Sequence, residues 1–577
     1  MSWKRIVRLL QTMSVASLLA ACGTAPADLV LRNGKVVTVD EAVPEAEAVA
    51  VTGDRIIAVG SDEEISDHIG GATEVIDLQG RLVIPGFIEG HGHFAYLGFA
   101  KMALDLTRAA NWDEIVAMVA DAARDAEPGE WIVGSGWHQE KWDEAPRPAV
   151  EGLPVQESLS LVSPENPVFL THASGHASFA NALALESAGI TAETVDPPGG
   201  EIVRDEEGKA TGALRETAQR LVRAAIEKAR ASRAKGEIIA EALRAVELAG
   251  EEALAHGVTS FHDAGASFES IDLFRQLAGE GRLPVRLYVM VRAASNEEMA
   301  AKLPEYRMVG FGNHFLTVRS IKRQIDGALG PHGAWLLEPY QDLESTGLNL
   351  ETVEEIEGTA AIAIEQGFQL NTHAIGDRAN REVLDLYQRT FEAHPGKTGL
   401  RWRIEHAQHL HPDDIGRFAE LGVIAAMQGI HCTSDGPWVY KRLGARRAEE
   451  GAYVWRKLMA TGAVVTNGTD VPVEDIDPIA SFHASVSRRM KDGNTFFPGQ
   501  RMTRKEALES YTIHNAYAAF EEDIKGSLTP GKLADIVVLS KDIMTIPEAE
   551  IPGTRVVHTI LGGRVAFNGE TRHQGGE

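Results

Sequence analysis

The long middle of the chain alternates short apolar runs with stretches of helical periodicity, and this alternation restricts the fold most strongly. Helical patterns such as 352–366 and 413–421 lie between most of the runs. Such alternation predicts β/α units around a parallel sheet. Eight runs are predicted strands: 82–88, 258–262, 285–291, 317–325, 369–373, 401–406, 423–427 and 464–467. Eight units predict an α/β protein with a (β/α)₈ TIM-like barrel over 81–524, whose active site lies at the C-terminal strand ends.

The two ends of the chain differ from the middle. Residues 28–80 and 525–572 consist of short β-type runs separated by turn residues, among them Asn33-Gly34 and Gly53-Asp54. An Asn-Gly pair between two such runs predicts a hairpin. We therefore predict one small β-sandwich built from both termini.

The gap between the first two barrel strands is too long for a simple connection. Residues 95–240 carry strand patterns of their own, at 131–133 and 167–170, and a helical pattern at 215–233. We predict an insertion at the barrel mouth that covers the site and shapes substrate choice.

Residues 1–22 are predicted to be a targeting segment rather than part of the fold. A positively charged start precedes a mostly apolar stretch, 9–20, that is short for a membrane span. The segment ends in Leu19-Ala20-Ala21-Cys22, which resembles a bacterial lipobox. This predicts export to the periplasmic side and a lipid anchor on Cys22; an ordinary secretory signal is the alternative. Cys432 is the only other cysteine, so a lipidated Cys22 leaves no internal disulfide.

The charge of the chain excludes one class of partner. The formal net charge is −27, and the acidic residues are spread along the sequence rather than gathered in blocks. Nucleic-acid binding requires a basic stripe or patch, so it is not expected. The expected partner is a small molecule, and homo-oligomer formation stays open.

Candidate metal ligands follow the first and the last predicted barrel strands. His91 and His93 follow the first strand with a spacing that lets both side chains point the same way. Asp470 follows the eighth strand, where a carboxylate can bind metal and accept a proton from water. The alternatives are two solvent-exposed histidines in a glycine-rich turn and a helix N-cap at Asp470.

Three more residues extend the series along the barrel. His373 and His406 end the fifth and sixth strands, and Lys322 lies in the fourth. Either histidine alone is typical of a hydrogen-bonded core residue, but their joint placement predicts a metal site. Protonated lysine is not a normal ligand, although its carbamate can bridge two metals. An internal ion pair with Asp326 is the alternative for Lys322.

These motifs resemble the amidohydrolase superfamily, and more closely its amidohydrolase-3 group. The matching segments are Pro85–His93, Lys322 with Asp326-Gly327, His373–Asp377, Glu405-His406, Gly451–Arg456, Gly468–Asp470 and Gly531–Asp535. The resemblance implies a (β/α)₈ barrel, a small β-sandwich and one or two divalent metal ions, usually zinc. It also implies hydrolysis at carbon, most often of an amide or a cyclic amide.

The resemblance also implies roles for single residues. His91, His93 and Asp470 would bind the more buried metal, His373 and His406 the second, and carboxylated Lys322 would bridge them. Asp470 would be the catalytic base. Among the predicted substrate-binding residues, the resemblance implies His176, which matches a position of the inserted segment that reaches the substrate pocket. Trp137, His138, Gln428 and His431 are predicted from their place near the barrel mouth. The chain departs from its relatives at Glu89, where many have Asp, at Thr469, where Ser is commoner, and at His138, where Asp is frequent.

The sequence thus predicts a metal-dependent hydrolase that cleaves the amide bond of a small N-acylated compound. An esterase, a deaminase or an isomerase on the same metal site is one alternative. A non-catalytic, lipid-anchored binding protein is another.

Overall fold

Eight parallel strands form a nearly closed barrel in the computed structural model, which describes residues 26–293 and 295–572. Each strand pairs with the next along the chain. The strands are Phe87–Gly92, Val258–Ala266, Arg286–Val291, Leu316–Gln324, Gln369–Ala374, Arg403–His406, Ile424–Gln428 and Val465–Gly468. The predicted barrel is confirmed.

Helices occupy the intervals between these strands, as right-handed β/α units require. The longer ones are Phe94–Met102, Lys235–Ala255, Phe268–Gly279, Asn296–Tyr306, Val353–Gln366, Asp377–Ala393, Pro412–Leu421 and Gly429–Gly451. Shorter helices, Trp455–Ala460, Pro478–Ser487, Arg504–Ser510 and Ile513–Ala518, surround the last strand.

The side chain of Asn515 and a few backbone hydrogen bonds, rather than a continuous strand ladder, join the first strand to the last. Asn515 Nδ2 donates to the carbonyl of Ile88 at 2.7 Å and to that of Asn467 at 2.8 Å. The amide of Asp470 donates to the carbonyl of His91 at 2.8 Å. This seam therefore brings the ends of two strands, 379 residues apart in sequence (470 − 91), into direct contact.

Two of the departures from the family pattern meet at the same seam. The amide of Thr469 donates to Glu89 Oε1 at 2.6 Å, and its hydroxyl donates to Glu89 Oε2 at 3.1 Å. Both side chains are buried. Glutamate and threonine each carry one more carbon than the Asp and Ser that the resemblance leads us to expect, and the two side chains contact each other.

The first predicted strand, 82–88, is two strands. Leu82–Pro85 joins a sheet outside the barrel, and Phe87–Gly92 is the first barrel strand. The chain passes between them at Gly86, where a Cβ atom would lie 2.2 Å from Thr259 Oγ1. The sequence does not indicate this break, because both strands are buried and their apolar residues form one continuous run.

Two further sheets come from both ends of the chain. The first has the order Arg55–Gly60, Ala48–Thr52, Leu29–Arg32, Glu74–Asp77. The second has the order Arg564–Asn568, Val556–Leu561, Ile536–Leu539, Leu82–Pro85, Lys35–Val37, Glu45–Ala46. Leu31 and Val51 of the first sheet share an apolar cluster with Val83 and Ile536 of the second. The division of the chain at residues 80 and 525 stays a prediction.

The hairpin predicted at Asn33-Gly34 is wrong. Leu29–Arg32 and Lys35–Val37 belong to different sheets, so the chain crosses between sheets here. Asn33 has a φ of 58°, in the left-handed region that Asn tolerates. A Cβ atom at Gly34 would lie 2.4 Å from Leu78 Cδ1, so the glycine allows the backbone to pass close to the Leu78 side chain.

The insertion after the first barrel strand has its own six-stranded sheet. Its order is Gly200–Arg204, Ala210–Glu216, Ala177–Ala180, Val168–His172, Ile132–Trp137, Leu104–Asp105. Helices Trp112–Asp125, Glu157–Val162, Ala182–Ser187 and Gln219–Ala231 accompany it. The predicted helix 215–233 begins too early, because residues up to Glu216 pair antiparallel with Gly200–Arg204. The boundaries 95 and 240 stay a prediction.

A buried ion pair ties the barrel to the C-terminal sheet, and we expect its loss to be costly. Arg286 Nε donates to Asp535 Oδ2 at 2.8 Å and Arg286 Nη2 to Oδ1 at 3.1 Å. Asp535→Ala leaves a buried guanidinium without its partner, and we expect a loss of about 3–5 kcal/mol in unfolding free energy. Denaturant titration measures this. Glu247→Ala, which breaks an exposed pair with Arg244, is the control, expected to cost at most about 1 kcal/mol. Equal effects in the two variants would contradict the prediction.

Within the described residues, no helix combines the length and apolar character needed to cross a membrane. The predicted signal segment and Cys22 lie outside the described residues. Export and the lipid anchor therefore stay predictions. Cys432 is a buried free cysteine.

Candidate metal centre and substrate cleft

Three side chains converge where the first and last barrel strands end. Asp470 Oδ1 lies 3.2 Å from His93 Nε2 and 3.6 Å from His91 Nε2. One ligand-type atom from each of the three lies within 4.8 Å of those of the others. His91 and Asp470 are buried, and His93 is partly exposed. The predicted pairing of the His-Gly-His motif with Asp470 thus corresponds to one compact group of donors.

Asp470 is not a helix N-cap. The next helix, Pro478–Ser487, is capped by the side chain of Asp477 instead. Asp470 itself has a φ of 61°, a strained conformation outside glycine. Burial would raise the pKa of Asp470, but the neighbouring His93, His406 and His91 hold it well below its ordinary value. The carboxylate is therefore kept ionised among imidazoles.

His406 and His373 extend the cluster around the barrel mouth. The ring centroid of His406 lies 4.6 Å from that of His91 and 4.5 Å from that of His373. His406 Nδ1 lies 3.9 Å from Asp470 Oδ2. His373 Nε2 is buried without a hydrogen-bond partner among the described residues, 3.5 Å from Asp326 Oδ1. All four predicted histidines and Asp470 thus lie together.

Burial keeps the cluster in the protonation state that a metal needs. Burial, together with the nearby charge of Lys322, lowers the pKa of His91 to about 4. The carboxylate of Glu405 opposes this shift. Burial also lowers the pKa of His373 and of His406 well below the ordinary value, with neighbouring imidazoles adding to the effect. Neutral imidazoles offer a lone pair, so these rings are suited to bind a cation.

Lys322 lies inside this cluster. Its side chain is buried, and Nζ is 3.3 Å from His91 Nε2. Burial lowers the pKa of Lys322 to about 8, although Glu405 and Asp470 oppose the shift. The alternative of an ion pair with Asp326 is wrong, because the two side chains form no ion pair among the described residues. The Asp326 carboxylate instead accepts the backbone amides of Trp335, Ile375 and Gly376 at 2.8–2.9 Å.

Glu405 has a role that the sequence did not reveal. Its carboxylate hydrogen bonds to His91 Nδ1 and pairs with Arg403, whose Nε lies 2.7 Å from Glu405 Oε1. All three side chains are buried. Burial would raise the pKa of Glu405, but Arg403 and His91 lower it. An ionised Glu405 orients His91 so that Nε2 faces Asp470. The signal in the sequence was a pair of opposite charges, two residues apart, in an otherwise apolar strand.

Glu405→Gln is expected to weaken metal binding by about 10- to 100-fold, because ligand histidines depend on such carboxylate partners. Zinc titration against a chromophoric chelator measures the change. The control is Glu382→Gln, which alters a surface pair with Arg378 and is expected to leave zinc affinity unchanged. Unaltered affinity in Glu405→Gln would show that this carboxylate does not orient His91.

A cleft opens directly above the cluster, between the insertion and the barrel loops. It has a cavity volume of about 50 Å³, and about 560 Å³ of unfilled space when the part open to solvent is included. Its wall combines polar and apolar groups, including His138, His172, His176, His373, His406, His431, Leu329, Pro331, Trp438 and Asp470. The ring centroid of His176 lies 5.4 Å from that of His373, so the insertion reaches the predicted metal ligands.

Two of the five predicted substrate-binding residues do not line the cleft. Trp137 is fully buried in the apolar core of the insertion, and its Nε1 donates to the carbonyl of Leu170 at 2.9 Å. Gln428 is buried beside His406, with its Oε1 2.8 Å from Nδ1 of that ring. It therefore contacts a candidate ligand rather than the cleft. His138, His176 and His431 do line the cleft.

Comparison with known proteins places this architecture in a family. The Amidohydrolase family profile matches residues 74–567. Protein LONG AFTER FAR-RED 3 of Arabidopsis thaliana is 33% identical over 94% of this chain and 92% of its own length. N-substituted formamide deformylase of Arthrobacter pascens is 30% identical over 94% of this chain and 98% of its own length. An uncharacterized metal-dependent hydrolase from Pyrococcus furiosus superposes with a TM-score of 0.68 at 27% identity, covering 90% of this chain and 100% of that one. The chain therefore belongs to the amidohydrolase family and is a hydrolase.

Proposed function

We propose that this hydrolase is metal-dependent and cleaves the amide bond of a small, neutral N-acyl compound. One observation carries the proposal: His373, His406 and Asp470 line a cleft between the insertion and the barrel, and buried His91 and partly exposed His93 lie beside them. The formamide deformylase among the relatives supports the choice of a carbon–nitrogen bond.

The cluster fits a divalent metal such as zinc, which prefers imidazole and carboxylate donors. His91, His93 and Asp470 would hold one ion. His373 and His406 would hold a second, with Lys322 as a bridging carbamate. The buried, unpartnered Nε2 of His373 supports the fit, because such an atom costs free energy unless a ligand satisfies it. A bound ion would lower the pKa of a water molecule and polarise the substrate carbonyl.

We assign the role of general base to Asp470. Its ionised carboxylate takes a proton from the attacking water and later gives it to the leaving nitrogen. The water oxygen bonds to the acyl carbon as the carbon–nitrogen bond breaks, so the products are a carboxylic acid and an amine. The cleft histidines His138, His176 and His431 offer ring nitrogens as hydrogen-bond partners for the amide group of the substrate, while Leu329 and Trp438 offer apolar contact.

A substrate panel tests the proposal. Zinc-loaded enzyme would be assayed on matched N-acyl amides, acyl esters, phosphate esters and nucleobases. We expect the highest kcat/KM for an amide, since the cleft wall mixes apolar groups with a few polar ones and Lys141 is its only lysine or arginine among the described lining residues. Far better turnover of an ester or a nucleobase would favour the esterase or deaminase alternative.

A further inference from the structure

Glu216 makes an unusual connection at the end of an insertion strand. Its Oε2 lies 2.8 Å from His176 Nδ1, and its backbone amide donates to the carbonyl of His176 at 2.8 Å. The side chain is buried, and the backbone has a φ of 48°. This left-handed conformation is unfavourable for a glutamate, which indicates that the surroundings fix its geometry.

Two glycines of the barrel leave the space that this carboxylate occupies. A Cβ atom at Gly327 or at Gly333 would lie 2.1 Å from Glu216 Oε1. Neither glycine has a left-handed φ, so the requirement is for space and not for backbone freedom. The amide of Gly327 donates to the carbonyl of Gly333 at 3.1 Å, which closes the loop around the carboxylate.

The same loop forms part of the cleft. Residues 328–331, between the two glycines, line the cleft, as His176 does. The Glu216 carboxylate therefore contacts the insertion's histidine and the barrel's loop at once. A change at this point would move His176 relative to the predicted metal ligand His373, whose ring centroid is 5.4 Å away.

We propose that Glu216 is a positioning residue that fixes both the orientation and the tautomer of His176. In this arrangement the Glu216 oxygen is the hydrogen-bond acceptor, so His176 Nδ1 carries the proton. Nε2 is then the ring nitrogen that faces the substrate, where its lone pair accepts a hydrogen bond from the substrate N–H. This role in substrate binding rests on the proposed function; the tautomer itself does not.

Two variants disturb the contact in different ways. Glu216→Met removes the acceptor but keeps an unbranched side chain of similar length. Gly333→Ala keeps the carboxylate and displaces it, because the new methyl group occupies its place. Gly396→Ala is the matched control, since no atom lies within 4 Å of a Cβ atom there.

Nitrogen NMR of histidine-labelled, zinc-loaded enzyme reads the tautomer, with the His176 signals identified by their loss in His176→Ala. We expect a protonated Nδ1 in the wild type and in Gly396→Ala, and loss of that state in both Glu216→Met and Gly333→Ala. An unchanged His176 spectrum in folded Glu216→Met or in Gly333→Ala would overturn the proposal.

Kinetics on the best amide substrate provide the second measurement. We expect kcat/KM of Glu216→Met to fall about 10- to 100-fold with unchanged zinc content, which is the range found for carboxylate partners of metal-binding histidines. In a His176→Ala background the same substitution should have no further effect. An equal loss with and without His176 would overturn the positioning role. If the wild type cleaves no amide, the proposed function fails, while the NMR result still decides the tautomer.

Discussion

Asp470→Asn is expected to abolish hydrolysis while the fold survives. Asparagine cannot take up the proton from water, and general acid–base catalysis contributes about 10²- to 10⁴-fold. The fold should tolerate the change, because asparagine is one of the few residues that adopt the left-handed φ of 61° found here. The backbone hydrogen bond from residue 470 to the carbonyl of His91 also stays available.

The measurement is kcat/KM on the best amide, together with zinc content and the melting temperature. Asp385→Asn, which alters a partly exposed pair with Arg417, is the matched control and should retain full activity. Near-normal turnover in Asp470→Asn would place the base elsewhere in the cleft.

Lys322→Ala is expected to lower the metal content of the enzyme from about two ions per chain to one. The reason is the position of the lysine: Nζ lies 3.3 Å from His91 Nε2, beside both candidate ligand groups, where a carbamate could bridge two ions. Protein prepared with zinc and bicarbonate would be analysed for metal by mass spectrometry. The carbamate itself should appear as one added carbon dioxide in the native mass spectrum.

Lys525 offers a matched control, because it is also a buried lysine but pairs with Glu521 and Ser260 instead. Lys525→Ala should lower stability without changing the metal content. A single ion in both the wild type and Lys322→Ala would show that the site is mononuclear and that Lys322 does not bridge.

Much of the site was predictable from local sequence. The side chains of His91 and His93 project from one strand end because strand geometry has a period of two residues. His373, His406 and Asp470 each follow an apolar run, and parallel strands of one barrel all end at the same rim. These features depend on neighbours a few residues away, so the printed sequence contains them.

Other features depend on contacts between distant segments. Gln428 and Trp137 are polar or amphipathic residues near the barrel mouth, and only packing shows that one contacts His406 and the other is buried in the insertion. The break at Gly86 is likewise set by Thr259, which belongs to the next barrel strand.

The sequence by itself therefore determined the barrel, the family and the order of the candidate ligands, because these follow from short-range periodicity and from compact motifs. Only the tertiary structure decided the supporting contacts. These are the pairing of Glu405 with Arg403 and His91, the hydrogen bonds of Asn515 between the first and last barrel strands, and the contact of Glu216 with His176. Each such contact depends on the distance and the free space between residues of the folded chain. No local sequence pattern links these residues. A buried charge is stable only where a partner meets it, and the folded chain alone shows where that is.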